Sequence, residues 1–158
     1  MKLVKLYLDA TREAEVARLR RGLALRAMVL ASGQTQREIA EQLGMSQPAI
    51  SQQLKALGTM DSVHPEVLLD AAAPVLKGVA ESHGYANLAV FGSVAKGTSN
   101  PDSDIDLIVE APDGASTFDF IRFRTLLERI LEREVDLVTY RGLKPRLDDD
   151  IKREAIPL

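Results

Sequence analysis

At 158 residues, with 46% hydrophobic and 27% charged side chains, the chain suits one ordinary domain or two small ones, and global disorder is excluded. It has no Cys, which excludes disulfides and thiolate metal sites, and no apolar run approaches the roughly 20 residues of a membrane span. The net charge of −3 hides an asymmetry: residues 1–60 hold nine Lys/Arg against five Asp/Glu, residues 61–158 eleven against eighteen, so the two parts are expected to meet different partners.

The first predicted element is an amphipathic helix over Thr11–Ala31, with Val16, Leu19, Leu23, Ala27 and Leu30 at three-to-four spacing. Asp9 or Thr11 can cap its start, and Ser32-Gly33 ends it. Thr35-Gln36-Arg37-Glu38 then reads as a capping box that opens a short helix, buried through Ile39, Ala40 and Leu43. Gly44 supplies a tight turn, Ser46 caps again, and Pro48 sits in the first turn, where its missing N–H costs little. Ile50, Leu54 and Leu57 form the apolar stripe of the next helix, which stops at Gly58.

Two short capped helices joined at Gly44 make a helix-turn-helix pattern. The run from Gln36 to Leu57, with Leu-Gly-Met-Ser-Gln-Pro-Ala-Ile-Ser-Gln-Gln-Leu at 43–54, resembles the helix-turn-helix family of bacterial regulators, winged-helix repressors especially. The resemblance implies binding to double-stranded DNA. Gln47, Ser51 and Gln52 would offer amides and a hydroxyl to base edges and phosphates, and Lys55 with Arg18, Arg20, Arg21 and Arg26 would contact phosphates. Such proteins commonly bind paired half-sites as dimers, so a homodimer is a further expectation.

Gly58–Pro65 reads as a boundary, dividing the chain into residues 1–60 and 61–158. Val67–Ser82 is a predicted helix, with a kink or fresh start at Pro74 and an end at His83-Gly84. His64 and His83 are expected in capping or surface roles rather than as metal ligands. Predicted strands cover Asn87–Phe91, Ile105–Val109 and Val135–Thr139, with a helix over about Ser116–Glu132. The expected fold class is α/β (α+β): an all-α N-terminal part, then a small mixed sheet with flanking helices.

The first strand runs straight into Gly92-Ser93, where a glycine permits close approach of an anion and a hydroxyl can meet it. Ten residues separate Ser93 from Asp104, and Asp104 and Asp106 are two apart and so expected on one face of a strand. Like charges placed together repel and lose solvation, and a divalent cation resolves both problems. Carboxylate oxygens without His or Cys favour Mg²⁺ or Mn²⁺. Asp136 lies in the third strand, and three converging carboxylates can hold two metals.

Gly-Ser, ten residues, Asp-x-Asp and a later strand Asp resemble the polymerase-beta-like nucleotidyltransferase superfamily. Phe-Gly-Ser-x-Ala-Lys-Gly with Ser-Asp-Ile-Asp-Leu, and the closing Ile151–Ile156, are similar to its minimal nucleotidyltransferase group. The resemblance implies an Mg-dependent enzyme that transfers a nucleotide from a nucleoside triphosphate, usually ATP, with loss of pyrophosphate. Gly92, Ser93 and Lys96 would bind nucleotide, Lys96 where Arg is common. Asp104, Asp106 and Asp136 would be catalytic and bind metal, with Asp136 helping to activate the acceptor hydroxyl.

About twenty residues follow the third strand, so no additional helical domain is expected to enclose the base. Small proteins of this group resemble antitoxins of two-gene systems whose partner is a helical HEPN ribonuclease. That implies transfer of AMP to a Tyr of the toxin, with the helix-turn-helix repressing the shared operon. A catalytically silent, nucleotide-sensing transcription regulator is the alternative, and transfer to a small molecule a third reading. The N-terminus lacks a signal-peptide core, so a soluble cytoplasmic protein is expected.

Overall fold

The computed structural model describes residues 1–146 and 148–158. Helix α1 spans Lys2–Ala31, starting at Lys2 rather than near Thr11. The first ten residues contain neither Gly nor Pro, and nothing in them stops a helix. Neither Asp9 nor Thr11 acts as a cap: Asp9 pairs with Lys5 at 2.8 Å along the helix, and the Thr11 hydroxyl donates to the Tyr7 carbonyl at 2.8 Å.

Helices α2 (Gln36–Leu43) and α3 (Gln47–Leu57) form where the capping signals put them. The Thr35–Glu38 box closes in both directions, Ser46 accepts from the Ala49 N–H, and Gly44 turns the chain at φ 65°. Ile39, Ala40 and Ile50 bury against Leu25 of α1 as a small separate core, while Leu43 stays exposed. Among the described residues no β-hairpin follows α3, so the likeness to winged-helix repressors is confined to the helices.

Helix α4 covers Pro65–Ser82 and continues through Pro74 without a fresh start. His64 caps its first turn and His83 its end, as expected. Pro74 cannot donate to the Asp70 carbonyl and crowds it. Arg20 of α1 supplies the missing donor: a terminal nitrogen reaches the Asp70 carbonyl at 2.9 Å, while Nε donates to the neighbouring Ala71 carbonyl at 3.0 Å. This corrects its assignment as a phosphate contact. Arg20→Ala is expected to cost about 1–2 kcal/mol, the scale of lost charged hydrogen bonds near solvent, and to lower the urea midpoint without changing the slope.

The sheet has the order β3-β2-β1-β4. Its strands are β1 (Ala86–Phe91), β2 (Ile105–Glu110), β3 (Val135–Thr139) and the short β4 (Ile156–Pro157). β1 runs antiparallel to β2 and β4, and β2 parallel to β3. Helix α5 (Gly92–Lys96) follows β1, α6 (Thr117–Leu131) makes the crossover from β2 to β3, and α7 (Asp149–Glu154) precedes β4. The sequence predicts three strands; β4 is two residues long and carries no alternation to find.

Strand alternation gives the sheet two different faces. Val90, Ile105, Leu107, Val109, Val135 and Leu137 face the helices. They share one buried cluster with α4, α6 and, from α1, Val16, Leu19, Leu23 and Ala27. Helix α1 therefore contributes to this core as well as to the small one behind α2 and α3. The opposite face carries Ala89, Phe91 and Ile108 under Leu143, Ile151 and Ala155, and beyond this small cover it is open for polar groups.

Candidate active site

The open face places the acids. Asp106 alternates with Leu107 in β2 and so shares the side of Ile108, away from the helices. Its Cα partners are Phe91 of β1 on one side and Asp136 of β3 on the other. Parallel in-register neighbours carry their side chains side by side, so the Asp106 and Asp136 carboxylates flank each other. Asp104 lies just ahead of β2 rather than within it, and is exposed.

Beside this pair the chain leaves β1 at Phe91 and turns at Gly92, where φ is 69°. A Cβ there would run into Oδ2 of Asp106, with Cγ only 2.9 Å away. The glycine is thus what lets the turn sit directly on the carboxylate. Ser93 follows in α5, half-buried, and its carbonyl closes the helix by accepting from Gly97 and Thr98. The N–H groups of Gly92 and Ser93 belong to the first turn of α5 and have no acceptor within that helix.

The electrostatics agree with the geometry. Burial pushes the Asp106 carboxyl above the usual carboxylate range, and the charges of Asp136 and then Asp104 push it the same way. A divalent cation would offset all three effects at once, and an all-oxygen donor set fits Mg²⁺ or Mn²⁺. Among the described residues, however, no three acids are drawn together tightly enough to cage a metal unaided. The carboxylates fit part of a coordination shell, the remainder being of the kind phosphate oxygens and water supply.

Lys96 does not project freely toward this site. It forms an ion pair with Glu154 of α7 at 3.4 Å, which ties α5 to the C-terminal segment. Arg133, which the sequence reading passed over, has a clear structural task. Its guanidinium donates to the carbonyls of Met60 and Val63, both at 2.8 Å, and to that of Pro101. It therefore fastens the turn before Asp104 to the segment between α3 and α4. An isolated Arg beside Glu gives no periodic or motif signal, so sequence alone could not have found it.

In the helical part, Gln47, Gln52 and Lys55 are exposed on α3 and Ser51 is half-buried. Gln47 donates its amide to Gln36 of α2 at 3.0 Å. Arg26 is turned inward like Arg20, donating to the Ile130 carbonyl at 2.8 Å and pairing with Glu132 at 3.2 Å. Arg18 is held by Glu15 at 2.8 Å, whose hydrogen bond lowers the Glu15 carboxyl. Of the four arginines read as phosphate contacts, two are structural and one is paired along its own helix.

Residues 74–158 match the nucleotidyltransferase domain model, and residues 25–64 match that of the bacterial regulatory protein, arsR family. A candidate protein adenylyltransferase of Methanocaldococcus jannaschii is 40% identical over 74 residues, 47% of this chain and 80% of the relative. The protein adenylyltransferase MntA of Thermococcus cleftensis is 34% identical over 80 residues, 51% of this chain and 81% of the relative. The solved structure of a candidate minimal nucleotidyltransferase superposes with a TM-score of 0.56 and 40% identity, over 61% of this chain and 99% of that one. Among the described residues no helix is long and apolar enough to cross a membrane. The matched region contains Gly92, Ser93 and all three aspartates, and the chain belongs to the nucleotidyltransferase domain family.

Proposed function

We propose that the protein transfers AMP from ATP to a hydroxyl, a Tyr of a helical HEPN-like toxin, and represses its own operon through the helix-turn-helix. The observation that carries this reading is the in-register pair Asp106–Asp136 set against the Gly92 turn. Relatives named as protein adenylyltransferases support the choice of ATP and of a protein acceptor.

In this reading Gly92 and Ser93 receive the phosphates through their N–H groups and the Ser93 hydroxyl. Asp104 and Asp106, completed by Asp136, would hold Mg²⁺, which when bound neutralises phosphate charge and favours the ionised acceptor. The acceptor oxygen forms a bond to the α-phosphorus while the bond from that phosphorus to the α–β bridging oxygen breaks. Pyrophosphate leaves, and the hydroxyl proton passes to a carboxylate oxygen of Asp136. Lys96, paired with Glu154, reaches the triphosphate only by exchanging partners, and Lys gives no bidentate fork.

Residues 1–60 serve as the DNA-reading unit and 61–158 as the transferase. Gln47, Ser51, Gln52 and Lys55 line the DNA side, with Arg21 exposed on α1. A second copy would supply the other half-site.

The test is intact-mass analysis of the partner encoded beside this gene, after incubation with ATP and Mg²⁺. A gain of one AMP is expected, mapped to Tyr. Labelling that persists in an Asp104→Ala/Asp106→Ala variant would overturn the assignment. ATP binding with ATP-dependent operator affinity but no label would instead support a sensor.

A further inference from the structure

Residues 1–14, Met1 and the start of α1, are exposed all round, although they hold most of the large apolar side chains exposed among the described residues. Leu3 is 73% exposed, Leu6 64%, Tyr7 73% and Leu8 59%. At 100° per residue these side chains are not scattered. Lys2, Lys5, Asp9, Arg12 and Glu13, the charges of residues 1–14, fall on one strip about 100° wide. That strip continues the line of Val16, Leu19 and Leu23, which face the body of the protein, and Arg12 reaches Asp70 from it at 3.7 Å. Leu3, Leu6 and Tyr7 therefore point away from the chain's own core. A free helix of this length is marginal in water, and an apolar patch of this size marks an interface.

We propose that this arm pairs with the arm of a second copy, antiparallel, over residues 2–15. One stripe, Leu3, Leu6, Tyr7, Ala10, Ala14 and Ala17, has the three-to-four spacing of a helix–helix seam and is exposed throughout. It is large at its start and small at its end. Antiparallel pairing sets Leu3 and Tyr7 of one arm on Ala14 and Ala10 of the other, twice by symmetry. Parallel pairing stacks large on large and leaves the alanines facing a gap.

The charges agree with the same arrangement. Lys2 and Glu13 flank the stripe on one side, and antiparallel pairing brings Lys2 of each arm toward Glu13 of the other. The overlap runs about 21 Å. With several large side chains from each arm, the area buried is on the order of 1,000 Å², near the lower bound for a stable dimer.

Sedimentation of the full chain at tens of micromolar tests this. The wild type is expected as a dimer, and Leu6→Glu/Tyr7→Glu as a monomer with unchanged thermal unfolding of its core. Lys2→Glu and Glu13→Lys should each weaken the dimer about three- to tenfold, and the two together should restore it. A monomeric wild type, a Leu6→Glu/Tyr7→Glu variant that stays dimeric, or a double reversal weaker than either single one would overturn the pairing. None of these readouts depends on the proposed transfer reaction.

Discussion

Asp106→Asn is expected to lower AMP transfer about 100–1,000-fold, the scale of losing one group that stabilises charge in a transition state, and at the same time to stabilise the metal-free protein. The two effects have one cause. Burial, Asp136 and Asp104 all disfavour the ionised Asp106, so the native state holds its proton more tightly than the unfolded chain does. Native stability is then fullest below the ordinary carboxylate range and falls as pH rises from there through the higher native value. Asn carries no charge and removes that loss. Thermal unfolding in EDTA should show the variant above the wild type at neutral pH, with the gap closing in acid. Adding Mg²⁺ and ATP should reverse the order, since the variant has lost a donor. A variant less stable than the wild type in EDTA at neutral pH would mean that the carboxylate is held by hydrogen bonds rather than repelled. The same linkage makes Mg²⁺ a larger stabiliser at neutral pH than in acid, measurable by titration at two pH values.

What the sequence made legible follows from how local each cause is. The Thr35–Glu38 box, the Ser46 cap and the Ser116 start of α6 are contacts between residues three apart, and they form as read. The three main strands are short apolar runs bounded by polar turns, and their limits hold to within a residue. What was hidden depends on distant partners. Arg20 reads from sequence as a phosphate contact, yet its role is set by Pro74, some fifty positions away. Arg133 and Lys96 likewise depend on partners that only the assembled fold supplies. The register is the most consequential case. Spacing predicted Asp104 and Asp106 on one strand, but the closest relation is between Asp106 and Asp136 across two parallel strands, and periodicity within a strand says nothing about pairing between strands. The N-terminal arm was missed for the opposite reason, because its apolar side chains answer to no core in the chain.

Gly92→Ala separates the shape of the site from its charge. The substitution leaves every carboxylate in place, yet the new methyl group meets the Asp106 side chain at a backbone φ of 69°. Strain at that φ costs about 1–2 kcal/mol, and the contact must be relieved by moving either the turn or the carboxylate. Moving the turn carries Ser93 away from the acids, and moving Asp106 breaks its alignment with Asp136. Either way, transfer should fall about 100-fold, since displacements of this size in a positioned site have that effect. The signature differs from that of Asp106→Asn. Gly92→Ala should lower stability in EDTA, where the Asn variant raises it, while Mg²⁺ should still stabilise the protein through the surviving acids. Gly78, on the exposed side of α4 with open space where a Cβ would sit, is the control. Gly78→Ala should leave transfer unchanged and raise stability slightly, through the better helix propensity of Ala. If Gly92→Ala transfers AMP as well as Gly78→Ala, the turn is not held against Asp106 during the reaction, and the phosphate-binding role given to Gly92 and Ser93 fails with it.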